Sequence, residues 1–249
     1  MNKLLIFFVF TSYLTLTQNN KQIGIQGDEL FLSINHSFQI PSGDLANRFG
    51  NNSDLSLSLL YKKSNSLIVN FEGGAIFGPL VKEDNIFESI DGNEGVLISQ
   101  NGEIPIIRLF ERGARCDLSI GKFFSLTNDK YQSGIIISIG TGYMYHKILI
   151  ETIVTELPQL NEELIKGYDR LCGGLLTKQF IGFMYFGNNN NIRFFLGLEA
   201  IQAFTKDLRE YSYTTQEYLD ENRLDYLFGL KCGFLIPIKK RNTGKYYYY

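Results

Sequence analysis

The chain has 249 residues, a formal net charge of −2 and three cysteines. That length suits one or two domains, the near-neutral balance gives no global field that calls for nucleic acid or an acidic partner, and three cysteines are too few for a disulfide framework. The 20 Phe, 15 Tyr and 24 Gly residues, beside an absence of Trp, favour strands over helices.

The opening "MNKLLIFFVFTSYLTLTQ" sets Lys3 before an apolar run, Leu4–Phe10, and a Thr/Leu stretch that ends near Gln18. These are the parts of a secretory signal peptide, expected to occupy residues 1–17, and the run is too short to cross a bilayer. Thr15 and Thr17 stand where small alanines are usual, so a buried N-terminal strand is the alternative. No cysteine follows the run, which argues against a lipoprotein anchor. The mature chain, 18–249, is expected to be exported as one domain.

From there the pattern alternates with a period of two, the mark of strands with two unlike faces. Apolar residues take every second position in about 30–40 (Leu30, Leu32, Ile34, Phe38, Ile40), 54–62 (Leu55, Leu57, Leu59, Tyr61) and 67–77 (Val69, Phe71, Ala75, Phe77). The same holds for 112–123 (Ala114, Cys116, Leu118, Ile120) and 134–145 (Ile135, Ile137, Ile139, Tyr143, Tyr145). The stretch 175–186 is β-prone with a blurred alternation, 192–204 is ordered by Leu196, Leu198 and Ala200, and 223–236 runs from Leu224 to Ile236 without a break. Pro237 is expected to end that last strand, where no ladder donor is needed.

The links sort by length. Those at Lys62–Ser66, Ser125–Ser133 and Gly187–Asn191 are short and turn-like, while Pro41–Ser53, Gly78–Glu111, His146–Gly174 and Thr205–Asn222 are long. Short and long alternate throughout, as in an up-and-down barrel with tight turns at one rim and large loops at the other. A sandwich has no reason to sort its loops this way.

A soluble binding barrel would turn the apolar face inward, but eight strands enclose little more than their own side chains, and the Phe, Tyr, Leu and Ile of that face would overfill the space. The opposite choice fits. Glu72, Arg115, Asp117, Glu199, Arg223, Asp225 and Lys231 then pair across a plugged polar lumen, the apolar face meets lipid, and closure leaves no open edge.

The segments "FERGARCDLSIGKFF", "KGYDRLCGGL", "FIGFMYFGNNNNIRFFLGLE" and "RLDYLFGLKCGFLIPIKKR", followed by a Tyr-rich end, resemble a small outer-membrane β-barrel family of the Bacteroidota, over most of the mature chain. The resemblance implies a barrel in the envelope and an accessory role beside assembly or secretion machineries. It brings no catalytic residue.

Barrel hydrolases need a His oriented by a carboxylate beside a nucleophile. His36 falls on the lipid face with no acid near it, and His146 falls at the outer end of the fifth strand, with Glu151 five residues on, where an interfacial polar role is expected. A pore would require more strands, for instance a hairpin of Val96–Ser99 with Ile104–Leu109. Asp84, Glu88, Asp91 and Glu94 lack the ordered spacing of a Ca²⁺ loop and read as a solvated acidic segment. A short helix capped by Asn161, with Glu162 and Glu163 in its first turn and Gly167 past its end, is expected in the 146–174 loop. Cys116 and Cys232 fall on opposite walls, out of disulfide range, and Cys172 in a loop. The tail 237–249, with Lys239, Lys240, Arg241, Lys245 and Tyr246–Tyr249, reads as an interfacial anchor.

The expectation is therefore an all-β, eight-stranded antiparallel transmembrane barrel with short periplasmic turns and long extracellular loops. Its expected partners are outer-membrane lipid and an envelope protein docked on loops 78–111 and 146–174. No catalytic, cofactor-binding or metal-binding residue is assigned.

Overall fold

The computed structural model describes residues 28–83, 86–90, 97, 99, 101–126, 133–153, 157–161, 163–186 and 193–239. The signal segment 1–17, the acidic Asp84, Asp91 and Glu94, and the tail from Lys240 lie outside them. The elements in chain order are β1 (Glu29–Gly43), α1 (Asp44–Arg48), β2 (Asn52–Lys62), β3 (Leu67–Gly78), β4 (Ile106–Ser125), β5 (Gly134–Ile153), β6 (Cys172–Phe186), β7 (Arg193–Asp207), the two-residue β8 (Tyr211–Ser212) and β9 (Glu217–Tyr218), and β10 (Asn222–Lys239). All but β8, β9 and α1 form one closed antiparallel barrel of eight strands, each beside its chain neighbour, with β1 sealing against β10.

The register fixes the barrel's dimensions. The cross-strand row that starts at Arg112 passes through Phe77, Ser53, Phe38, Leu230, Leu198, Ile181 and Ile137 and returns to β4 at Lys122, a stagger of ten residues. For eight strands this stagger implies a tilt of about 40° and an interior wide enough for side chains and little else. Arg112 and Lys122 also bracket the apolar exterior. At about 3.3 Å per residue, the tilted span between them covers roughly 25 Å, the height of an outer-membrane barrel's apolar band. Outward-facing aromatics ring both limits, with Phe77, Tyr145, Phe204 and Tyr226 near Arg112 and Tyr61, Phe124, Tyr185 and Phe194 near Lys122. Arg112 lies over Phe77 and Phe110, and Lys122 over Phe124, which holds each cation at the interface.

Several expectations change. β4 and β5 climb well beyond the band as a paired ribbon, because Ile106–Glu111 and His146–Ile153 keep strand alternation above the membrane. Residues 106–109 thus lengthen β4 and add no ninth strand. The link between β1 and β2 is only 44–51, no longer than the 126–133 link, so length alone does not sort the connections. Gly43 (φ +66°) turns the chain inward there, and a side chain at that residue would strike the Leu224 carbonyl. Nor does Pro237 end β10, which runs on to Lys239. Pro237 sits opposite the register break between Leu30 and Phe31, an irregularity that tolerates a missing donor.

Candidate functional site: a filled lumen beneath an ordered head

Alternation sends the small and charged face of every strand inward, where side chains stack in layers. Nearest the turns, Phe31, Leu60, Ile68, Phe123, Phe180, Met184, Phe195 and Leu235 form an apolar plug.

Above the plug lies an ionic layer centred on Arg115. Its guanidinium takes Asp54 in a two-pronged contact (Nε–Oδ2 2.8 Å, Nη2–Oδ1 3.1 Å), Glu72 at 2.6 Å, and Asp117. Lys178 reaches Glu72 at 3.0 Å and also pairs with Asp117, while Lys231 bridges Glu199 at 2.8 Å and Glu72. Ser56 donates to Glu72 (2.7 Å), and Gln39 to Glu199 (3.3 Å). Gly74 leaves the space for this arrangement, since a Cβ there would lie 2.8 Å from the Asp54 carboxylate. Fork-like Arg–carboxylate contacts of this kind are strong, and each member is costly to leave alone in a dry interior. Between plug and ionic layer is a gap of about 30 Å³, room for one water.

Ile76, Met144, Leu176, Ile201 and Leu227 form the next layer, each almost wholly buried. Over it sits a second polar layer. His146 Nε2 is 3.1 Å from Asp225, whose same oxygen accepts from the Thr205 hydroxyl, and Asn52 donates to Glu111 at 3.0 Å. His146 is therefore a fully buried lumen residue and not an interfacial one, for its alternation with Tyr143 and Tyr145 turns it inward. Its carboxylate is Asp225, across the barrel, and not Glu151, which faces outward. Cys172, expected in a loop, opens β6 with its thiol against Arg48 (3.2 Å) and Asp207 (3.1 Å). Among the described residues no group of three His, Cys, Asp or Glu side chains converges to hold a metal.

Of the expected lumen set, Glu72, Arg115, Asp117, Glu199 and Lys231 meet in the ionic layer, Asp225 lies a level above with His146, and Arg223, at the mouth, donates to the Asp44 carbonyl (3.0 Å) and comes within 4.0 Å of Asp225. Asp54, Lys178 and His146 were missed. Their signal was alternation relative to outward neighbours, blurred for Lys178 because Gln179 beside it is also polar.

The loops fold over this mouth. Leu45 and Phe49 from the α1 link, Ile86 and Phe87 from the 79–105 link, Ile148 and Ile150 from the ribbon, and Leu157, Leu160 and Tyr168 from the 154–171 link share one apolar core with the uppermost lumen residues. Polar ties cross between links. Arg48 meets Glu83 at 2.8 Å, Arg170 donates to Ser212 at 2.9 Å, and Thr214 donates to the Ile86 carbonyl at 2.8 Å. Arg209 pairs with Asp169 at 2.6 Å, and that hydrogen bond raises its pKa. Asn161 accepts from the Leu164 amide at 2.8 Å, but the element is a 3-10 turn, Leu164–Gly167, whose N-cap is Glu163 and which has Gly167 inside it.

Thiol exposure tests this inside–outside assignment. Cys116 on β4 and Cys232 on β10 are exposed and stand four strands apart around the ring, whereas Cys172 is buried. A small membrane-permeant maleimide should label the first two in the folded barrel, and Cys172 only after denaturation. Equal labelling of all three in the folded state, read by mass, would contradict the filled lumen.

No protein-family model matches the chain, and no curated protein matches it in sequence. Solved structures similar to it include Ail, the attachment invasion locus protein of Yersinia pestis (12% identity, 85% of this chain and 100% of that one, TM-score 0.40). Others are the N-terminal β-barrel domain of Pseudomonas aeruginosa OprF (11%, 85% and 100%, TM-score 0.36) and the outer membrane protein AlkL in lipid bilayers (10%, 91% and 99%, TM-score 0.39). At such identities the likeness is one of fold alone.

Proposed function

We propose that this protein is an exported outer-membrane barrel that serves as a structural or accessory subunit of the cell envelope. In this reading it binds another envelope protein through its loop end, with neither a conducting pore nor catalysis. One observation carries it: the loop-end connections are packed onto a common core above a lumen filled at successive levels. Loops that merely joined strands would not need such a core, since closing a flexible loop costs little. A channel would need a continuous polar path, which the apolar plug and the Ile76–Leu227 layer interrupt. The resemblance to the Bacteroidota barrel family supports the location and a place beside assembly or secretion machineries.

Exposed apolar side chains on the head supply the contact surface. Ile104 is 72% exposed and Ile106 55% exposed at the crest of the ribbon, and Tyr218 on the β8–β9 hairpin is 83% exposed. Such groups are candidates for burial by a partner.

The test joins two measurements on the full-length protein. Wild type should show no steady conductance in planar bilayers and should bring a stoichiometric envelope protein through mild-detergent isolation. Ile104→Asp with Ile106→Asp should leave the barrel folded by heat-modifiable gel migration and lose that protein. Purification alone together with steady ion conductance would overturn the reading.

A further inference from the structure

The apolar band carries a polar patch that the lumen and head do not explain. On the outward faces of β5, β6 and β7 stand Thr141, Thr177, Gln179 and Gln202, with Ala200 among them. Thr141 pairs across strands with Thr177 and Thr177 with Gln202, while Gln179 pairs with Ile139 and Ala200. Once the stagger of the strands is allowed for, Thr141, Gln179 and Ala200 lie at nearly one depth, midway between Arg112 and Lys122, hence near the bilayer centre. The threonine hydroxyls are met by their own barrel, Thr141 donating to the Leu176 carbonyl (3.0 Å) and Thr177 to that of Gln202 (3.5 Å). The Gln179 amide is exposed and has no hydrogen-bond partner among the described residues. It lies midway along an open groove of about 890 Å³ that winds between two diagonal rows of side chains from Phe38 on β1 to Lys122 on β4, where Ala200, Leu198, Ile181 and Phe228 are among its neighbours.

We infer that this face is a two-fold interface between copies of this chain within the bilayer, with Gln179 beside the axis. An amide in hydrocarbon is costly unless paired, and acyl chains offer it nothing. Two copies inserted in the same direction that meet through the same face are related by a two-fold axis along the membrane normal, so a residue at that axis meets its own counterpart at the same depth. Gln is suited to that meeting because its amide both donates and accepts, and two facing amides close a pair of hydrogen bonds. The same axis sets β5 of one copy against β7 of the other. Thr141 then faces Ala200, small against small, which lets the walls approach closely enough for the amides to join. His36, on β1 at a similar depth, is flanked by Leu55 and Cys232 and lies three strands away around the ring, so it forms no such patch. The inference rests on the bilayer placement of the barrel and not on the role of the head.

The test uses the full chain reconstituted in phosphatidylcholine vesicles with Cys116 and Cys232 replaced by Ala. Gln179→Cys should form a covalent dimer on oxidation with copper phenanthroline, while Leu57→Cys, at similar depth on the opposite wall, should not. In the parent chain, Gln179→Leu should weaken dimerisation about tenfold by single-molecule photobleaching, the scale of a hydrogen bond or two between membrane segments. Heat-modifiable migration confirms folding in every variant. Equal cross-linking at residues 57 and 179 overturns the interface. A mixed His36→Cys with Gln179→Cys product that exceeds the 179–179 product also overturns it, in favour of a head-to-tail array. A dimer indifferent to Gln179→Leu and uncross-linked at 179 overturns it as well.

Discussion

Arg115→Met should destabilise the barrel by about 3–5 kcal/mol, the cost of breaking a buried ion pair from one side. Methionine fills much of the same volume, so the loss would come from charge and not from a void. Without the guanidinium, Asp54 loses its ionic partner, and Asp117 and Glu72 are left to share Lys178 and Lys231 with Glu199. The measurement is the urea midpoint by circular dichroism in vesicles, with heat-modifiable gel migration as a second reading. Asp54→Asn added to Arg115→Met should recover part of the loss, because Asp54 depends on Arg115 alone for its ionic contact among the described residues, while Glu72 and Asp117 keep lysines. A single variant within about 0.5 kcal/mol of wild type would mean that the layer is solvated and the lumen open.

The second large effect separates the two faces of β10. Leu230 is 53% exposed at mid-band, and Leu227 is 1% exposed in the apolar layer of the lumen. Leu230→Arg should cost about 2–4 kcal/mol or block assembly, the penalty of a charge on the lipid face at the midplane. Truncation should reverse the order. Leu227→Ala leaves a cavity among Ile76, Met144, Leu176 and Ile201, a loss of about 2–5 kcal/mol, whereas lipid refills the gap left by Leu230→Ala and the effect should be small. Unfolding in vesicles of differing urea content reads both. A barrel with its apolar face inward would show Leu230→Ala as the damaging truncation.

Strand identity was legible because a period of two is local: apart from the blurred 175–186, each run from Leu30 to Ile236 carries its own alternation, whatever it packs against. The choice of face was legible too, since volume alone forbids so many Phe, Tyr and Leu side chains inside eight strands. Strand ends were less so. The ribbon Ile106–Glu111 with His146–Ile153 stays paired above the membrane because its residues bond to each other, and a change from lipid to water leaves no mark in an alternation that continues through it. Pro237 misled for a related reason. It is a local breaker whose effect depends on what lies opposite, here the Leu30–Phe31 irregularity.

By itself, then, the sequence determined an antiparallel barrel with lipid outside and charge within, because those properties follow from the order of apolar and polar residues along single strands. Only the tertiary structure decided who pairs with whom. The stagger of ten residues sets Arg115 against Asp54 and Glu72, and His146 against Asp225, by bringing strands far apart in the chain to one height. The same closure places Gln179, Thr141 and Ala200 at one depth on the outer wall, and it gathers Leu45, Ile86, Leu157 and Tyr168 from separate links into the core of the head. A strand carries its faces in its own sequence, but depth and cross-barrel distance exist only once the ring has closed.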